Sequence, residues 1–123
     1  LDSPRLLSSG FQLRKQKNVF FAGQITGVEG YMESAASGIM AGKNAVRLAR
    51  GKAPLSLPDV TMIGALSAYI SDETVRDFQP MGANFGILPP IEPKIRDKKQ
   101  RYAAFSERAL RALERIRNDE DYC

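Results

Sequence analysis

The sequence predicts an α/β segment in which one buried strand and a close-packed helix are followed by a mostly helical tail. An apolar run at residues 18–23, NVFFAG, ends in glycine and has the length of a buried strand. A stretch rich in Ala, Ser and Gly follows with helical spacing, and the last part of the chain repeats apolar residues every three or four positions. Residues 1–53 therefore form a strand–turn–helix unit, and residues 54–123 form a helical extension that packs on it.

The first half of the chain is interpreted element by element. Residues 1–17 are polar and basic with scattered apolar positions, which is typical of a loop or an edge segment. Residues 18–23 form the strand, and Gly27 and Gly30 bracket a turn. A helix then runs from Tyr31 to about Arg50, and Gly51 ends it. A lone strand cannot form a sheet, so its partners are expected outside this chain or in its missing part.

The second half is predicted to be mainly helical. Asp59 is expected to cap a helix over residues 60–70, and Ser71 and Asp72 a third short helix that ends near Phe78. Residues 79–93 hold Pro, Gly and Asn in close succession and are expected to form an ordered loop. A last helix covers residues 94–117, and its acidic end is expected to be frayed. Its apolar face consists of Tyr102, Phe105, Ala109, Leu113 and Ile116.

Composition excludes several kinds of site. The chain has 123 residues, 43% of them apolar, which fits at most one domain. It contains no histidine, and its one cysteine is Cys123, so neither a histidine triad nor a Cys or His metal site is expected. We interpret Cys123 as a bystander rather than a nucleophile. No apolar run approaches a membrane span, and a cytoplasmic setting fits. The first residue is not Met, which suggests a piece of a larger chain.

The net charge of +4 is unevenly distributed. Residues 94–117 carry nine Lys or Arg and three Asp or Glu. Such a basic stripe can bind phosphate backbones, although a solvated helix face would have the same composition. The candidate phosphate contacts are Lys94, Arg96, Lys98, Lys99 and Arg101.

The stretch FFAGQITGVEGYMESAASGIMAG, at residues 20–42, raises the question of a ligand. A strand, a glycine turn and a helix start can together present backbone N–H groups to an anion or a polarised carbonyl. Gly38 and Gly42 lie one turn apart, and close packing would compensate for their cost of about 1 kcal/mol each in a helix. The stretch lacks both G-x-G-x-x-G and a P-loop lysine. A tightly packed helix without a ligand is the alternative.

Several motifs, in order, resemble one family. FFAGQITGVEGYMESAASGIMAGKNA resembles the flavin-contacting C-terminal segment of the folate- and FAD-dependent tRNA (uracil-5-)-methyltransferases, the TrmFO family, which is related to the GidA (MnmG) tRNA-modifying flavoproteins. The resemblance continues through LDSPRLL, TMIGALSAYI, FQPMGANFGILPP and KKQRYAAFSERALRALE. It implies the C-terminal piece of an FAD-binding Rossmann-type fold that pairs with the N-terminal remainder of that fold. A GidA-like segment and a non-catalytic basic RNA-binding module are the alternatives.

The resemblance also implies a chemistry and a set of contacts. The family uses FAD, with methylenetetrahydrofolate and NAD(P)H as co-substrates, and makes 5-methyluridine in the T-loop of tRNA. No catalytic residue is expected in this chain, because the family's cysteines lie upstream, and the isolated segment is expected to be inactive. The implied flavin contacts are Gly23, Gln24, Gly27, Val28, Glu29, Gly30 and Tyr31. Glu33 is interpreted as a helix-start charge or the partner of a basic residue. Met81 and Phe85 are expected to plug the core, with contact to the flavin or the substrate uridine as the alternative.

Overall fold

The computed structural model describes residues 1–118 of the chain, so Cys123 and the acidic end predicted to be frayed lie outside the described residues. The coarse prediction is confirmed: the fold is α/β, mostly helical, with one two-stranded parallel sheet among the described residues. The helices and strands, in chain order, are α1 (Ser3–Leu6), β1 (Val28–Glu29), α2 (Tyr31–Ala49), α3 (Met62–Ile70), β2 (Met81–Gly82) and α4 (Lys98–Arg117). Short 3-10 turns cover Gln24–Thr26 and Phe85–Ile87.

The core lies between the N-terminal segment, the sheet and helices α2 and α3. Leu7 and Phe11 are fully buried, although residues 1–17 were expected to form a loop or an edge segment. Proline in the first turn favours the short helix α1, and the Ser3 hydroxyl donates to the Thr26 carbonyl at 2.5 Å. The N-terminal segment is therefore part of the core. The buried apolar cluster consists of Leu7, Phe11, Val28, Met40, Ala41, Leu66 and Ile70.

The strand predicted at residues 18–23 is wrong. This stretch is irregular, with Asn18 in a turn, and Phe20 forms one isolated antiparallel bridge with Gln12. Its backbone bonds go to the preceding loop: the Phe21 N–H donates to the Phe11 carbonyl at 3.0 Å, and the Leu13 N–H to the Val19 carbonyl at 2.8 Å. No neighbouring strand in the described part of the chain extends this pairing into a ladder. The sheet instead pairs β1 with β2, and it therefore joins two other segments of this chain.

Helix α2 follows the prediction closely. It begins at Tyr31 and ends at Ala49, and Gly51 has the left-handed φ of +74° that favours glycine after a helix. Its inner face buries Met40 and Ala41, together with Asn44, which is fully buried. The Asn44 amide donates to the carbonyls of Gly10 and Leu55 at 3.0 Å each. These bonds hold the segments on both sides of α2 against the helix.

Helix α3 begins two residues later than expected, and the N-cap is Thr61 rather than Asp59. The Thr61 hydroxyl accepts from the Gly64 N–H at 3.0 Å. The third helix predicted at residues 71–78 is also wrong. The Asp72 carboxylate accepts from the N–H of Thr74 at 2.9 Å and from its hydroxyl at 2.6 Å, which closes a turn in place of a helix start.

Helix α4 begins at Lys98, four residues after the predicted start, because the Asp97 carboxylate caps the Lys99 N–H at 3.1 Å. Residues 79–93 form the expected loop apart from the two residues of β2 and a 3-10 turn. Phe85 in this loop stacks on Tyr102 of α4 at 4.2 Å between ring centroids. Met81 packs against the core, as expected, and Phe85 is half-buried against α4. The predicted apolar face of α4 is only partly covered: Phe105 is buried, whereas Leu113 is 36% exposed.

Candidate flavin cavity at the start of helix α2

A cavity of about 410 Å³ opens where the glycine turn meets helix α2. Four of the seven predicted flavin contacts lie around it, namely Gly23, Gln24, Gly30 and Tyr31, together with Ser34. Its volume falls within the range of small-molecule sites, about 300–1,000 Å³. Ser34 was absent from the sequence-based site, although its position one helical turn after Gly30 was the signal that could have indicated it.

Around Gly23 the cavity wall is formed by backbone. Gly23 has φ +80°, and a Cβ added there would meet no described atom within 4 Å. The Gly23 N–H donates to the Ser37 hydroxyl at 2.7 Å, and the Thr26 hydroxyl donates to the Gly23 carbonyl at 2.8 Å. These two bonds fix the entry to the 3-10 turn. A ligand can therefore approach the main chain at Gly23 without displacing a side chain.

The start of α2 supplies polar groups to the same cavity. Gly30 is the N-cap and forms no side-chain cap, so the N–H groups of the first turn lack the intrahelical partners that later residues have. Their dipoles favour negative charge at this end of the helix. Tyr31 is 96% exposed and offers an aromatic face, and the exposed Gln24 side chain offers an amide. The arrangement can bind a flat ligand with a polarised or anionic edge.

The other three predicted contacts lie elsewhere. Val28 is fully buried in the core, so only its backbone could face a ligand. A Cβ on Gly27 would overlap the ring of Phe78, which gives that glycine a packing role. Glu29 is exposed in β1, outside the cavity lining.

Glu33 lies just behind the cavity, on the other side of Gly30. Its Oε1 accepts from the Ala83 N–H at 3.0 Å. That hydrogen bond, with a second one from the Glu33 backbone N–H, lowers the pKa of the Glu33 carboxyl below its ordinary value of 4.5. Of the two interpretations from sequence, the helix-start charge is the one that the structure shows, since Glu33 is in the first turn and its carboxylate accepts from a backbone amide.

The predicted phosphate contacts form an exposed basic cluster at and before the start of α4. Lys94, Arg96, Lys98 and Lys99 are exposed. Arg101 differs, because it is half-buried and donates to the Ile95 carbonyl at 3.4 Å. Lys98 and Arg101 both lie 5.6 Å from the centre of the Tyr102 ring. Four exposed cations are thus available to a polyanion, while Arg101 helps to hold the helix start.

Three of the four basic residues in the C-terminal half of α4 are engaged, namely Arg108, Arg111 and Arg117. Arg111 pairs with Glu107, and Arg117 lies 4.0 Å from Glu114. Arg108 donates to the carbonyls of Pro89 at 2.6 Å and Pro90 at 3.1 Å. The basic stripe seen in the sequence therefore separates into an exposed N-terminal half and a C-terminal half in which three of the four basic side chains are engaged.

The described residues contain neither a candidate membrane span nor a candidate metal site. No helix among residues 1–118 is both long and apolar enough to cross a membrane. No group of three or more acidic or Cys side chains in the same part of the chain could hold a metal ion.

The N-terminal part of the chain is similar to a known protein family. Residues 1–53 match the family described as "Glucose inhibited division protein A". These residues include the glycine turn, the cavity and the whole of α2.

The more specific resemblance is to proteins named methylenetetrahydrofolate–tRNA-(uracil-5-)-methyltransferase TrmFO. The chain is 58% identical to the protein from Syntrophomonas wolfei over 92% of its own length, and 55% identical to that from Streptococcus agalactiae over 96%. The protein from Thermotoga petrophila is 51% identical over 94% of the chain. The family resemblance predicted from the motifs is confirmed: the chain is a relative of the TrmFO methyltransferases over more than nine tenths of its length. It spans about a quarter of their length, 26% or 27% in these three cases.

Proposed function

We propose that this chain supplies one wall of the FAD site of a methylenetetrahydrofolate- and FAD-dependent tRNA (uracil-5-)-methyltransferase in the cytoplasm. The observation that carries the proposal is the cavity at the start of α2, around which four residues of the family-like motif converge. The match to TrmFO relatives continues through residues beyond 53, where the match to the "Glucose inhibited division protein A" family ends, and this favours a methyltransferase over a GidA-like segment.

In this proposal the residues of the cavity bind and orient the flavin. FAD supplies the redox chemistry, NAD(P)H recharges it, and methylenetetrahydrofolate donates the carbon that ends as the methyl group of 5-methyluridine in the T-loop of tRNA. Gly23 lets the cofactor approach the main chain, and the Gln24 amide offers a donor and an acceptor. The first-turn N–H groups of α2, near Gly30 and Tyr31, stabilise negative charge on the cofactor.

The proposed domain assignment of this chain rests on the family match of its N-terminal part. We assign residues 1–53 to the end of a Rossmann-type FAD-binding domain, since they match a family that the motifs relate to flavoproteins. We assign residues 54–123 to a helical extension on it, of which the structure describes residues 54–118. The phosphate-binding fingerprint for the adenine nucleotide is absent from this sequence, so the rest of the cofactor site belongs to the remainder of the protein.

A flavin-binding measurement on the full-length protein tests the site. Gln24→Trp and Ser34→Leu are expected to weaken FAD binding about tenfold or more, a change of about 1.4 kcal/mol, because each enlarges a side chain that lines the cavity. Gln100→Trp is the matched control, since it places the same side chain on the exposed surface of α4. FAD affinity equal to wild type in both cavity variants contradicts the site assignment. Formation of 5-methyluridine in tRNA from methylenetetrahydrofolate tests the reaction itself.

The exposed cluster Lys94, Arg96, Lys98 and Lys99 supports a second part of the proposal, which is contact with tRNA phosphates. Lysine and arginine side chains that neutralise phosphates release counterions, so affinity falls steeply with salt. Lys98→Gln with Lys99→Gln is expected to weaken tRNA binding and to flatten its salt dependence, by a slope of about 1 for each lysine. Arg111→Gln is the control, because Arg111 is paired with Glu107. An unchanged salt slope in the double variant excludes these contacts.

The same cluster is what a non-catalytic RNA-binding module would need. FAD binding distinguishes the methyltransferase from the RNA-binding module. A full-length protein that binds tRNA with the expected salt dependence but binds no FAD is an RNA-binding module. Inactivity of the isolated segment is expected in both cases.

A further inference from the structure

The carboxylate of Glu33 occupies a specific place between the cavity and the loop that carries β2. Its Oε1 accepts from the Ala83 N–H at 3.0 Å, and its Oε2 lies against Gly30, where any Cβ would overlap it. Gly30 lines the cavity and Glu33 does not. The absence of a side chain at Gly30 therefore leaves room for the carboxylate directly behind the cavity wall.

The loop held by Glu33 also touches the glycine turn and α4. In this loop, the Met81 N–H donates to the Gly27 carbonyl at 2.8 Å, and Met81 and Gly82 pair in parallel with β1. Three residues later, Phe85 stacks on Tyr102 at 4.2 Å. We refer to residues 81–85 as the β2 segment. It joins the cavity side of the molecule to the start of α4.

We propose that Glu33 is a positioning residue, which holds the β2 segment, and through it the basic start of α4, in a fixed place relative to the cavity. The inference rests on the proposed function for the identity of the ligand, FAD. The β2 segment is also held by its pairing with β1, by the bond of the Met81 N–H to Gly27 and by the stacking of Phe85 on Tyr102. The Glu33 hydrogen bond is the contact that comes from the helix whose first turn lines the cavity.

A consequence follows from linkage. If FAD fixes Gly30 and Tyr31 and so favours the Glu33–Ala83 bond, that bond must favour FAD binding by the same factor. Protection of the Ala83 amide and FAD affinity should therefore change together. A side chain that only stabilised α2 would change the melting temperature without linking these two quantities.

The test uses the full-length protein, with Glu33→Ala and Glu33→Gln. Two quantities are measured, the Kd for FAD and the hydrogen exchange of the peptide that contains residues 81–85, with and without FAD. In the wild type, FAD is expected to slow exchange in this peptide. E33A is expected to abolish that slowing and to weaken FAD binding about fivefold. E33Q is expected to retain most of both effects, because its amide oxygen can still accept from Ala83.

Glu73→Ala is the control variant, because its carboxylate lies near Arg14, 3.8 Å away, rather than at the β2 segment. It is expected to match wild type in both measurements. The inference is overturned if E33A keeps both the wild-type Kd and the FAD-dependent slowing, or if E33Q behaves as E33A. Should the wild type bind no FAD, the proposed flavin site fails. The role of Glu33 is then tested by hydrogen exchange without FAD. The peptide that contains residues 81–85 must exchange faster in E33A than in the wild type.

Discussion

Two groups of glycines in this molecule have opposite surroundings. At Gly27 and Gly64 an added Cβ would overlap atoms of the same chain, the ring of Phe78 in the first case and the Pro58 carbonyl in the second. At Gly38 and Gly42 in α2 an added Cβ would meet no described atom within 4 Å. The first pair is explained by packing within the chain. The second pair costs about 1 kcal/mol each relative to Ala and finds no compensation among the described residues.

The exposed face of α2 carries apolar side chains beside Gly38 and Gly42. Ile39 is 68% exposed and Val46 is 50% exposed on the same side of the helix as the two open glycines. Apolar side chains and small residues together are typical of a surface that packs closely against another element. The chain spans about a quarter of the length of its TrmFO relatives, so the remainder of a longer protein is the natural candidate for that element.

The largest effect is expected at Gly64. In Gly64→Ala the new methyl group would collide with the Pro58 carbonyl and with the Thr61 hydroxyl that caps α3. Backbone atoms cannot move aside cheaply, so we expect a loss of about 3 kcal/mol or more in the free energy of unfolding. Chemical denaturation of the full-length protein measures it. Wild-type stability in this variant would remove Gly64 from the packed group.

A smaller loss is expected at Gly27. Gly27→Ala combines a left-handed φ of +102° with overlap of the half-buried Phe78 ring, which can move in part. We expect a loss of about 2 kcal/mol. The double variant with Phe78→Ala separates the two causes, because removing the ring relieves the overlap and leaves the backbone strain. The overlap predicts that the double variant loses less free energy of unfolding than the two single variants together. If its loss equals the sum of the two single losses, the packing explanation for Gly27 is wrong.

At Gly38 and Gly42, the sign of the change in stability on substitution to Ala shows whether the helix face is covered. On a solvated helix face, Gly38→Ala and Gly42→Ala would each stabilise the protein by up to about 1 kcal/mol through helix propensity. If the face is covered in the full-length protein, as the sequence predicted from the spacing of the two glycines, both changes destabilise it instead. Thermal melting of the full-length protein distinguishes the two results. Ala35→Ser, on the same exposed face, is a control of similar size.

Local signals in the sequence predicted the regular helices well. The extent of α2 followed from small-residue spacing and from Gly51, and most of α4 followed from its apolar period. Predictions failed where a side chain closed a turn that the helix signals did not reveal. Asp59 looked like a cap, but Thr61 forms the bond to Gly64, and Asp72 caps Thr74 in a turn rather than a third helix.

The strand prediction failed for a different reason. An apolar run ended by glycine indicates burial, but a strand also needs a neighbour, and the partner of residues 18–23 is only the loop around Gln12. β1 and β2 have two residues each, too few for a period-2 pattern to be visible. Four of the cavity residues were predicted because the family motif and the helix start coincide. The Glu33–Ala83 bond, which joins residues 50 positions apart, has no local signal.

The smallest effect is expected from acid, and it concerns Gly30, a glycine that belongs to neither group. Gly30 lies against a charged group, whereas Gly38 and Gly42 do not. The Ala83 hydrogen bond lowers the pKa of Glu33 in the folded protein below 4.5, so its contribution is complete above that pH and is lost as the pH falls through the folded pKa. The carboxyl of Asp72, whose pKa the Thr74 hydroxyl lowers below 3.8, acts in the same direction.

Melting temperatures of wild type and E33Q should therefore be compared between pH 7 and pH 3. The Asp72 contribution is common to both proteins and cancels in their difference, so a small difference that shrinks only below pH 4.5 is the signature of Glu33. A difference that stays constant over this range would show that the Glu33 charge does not contribute to holding the β2 segment.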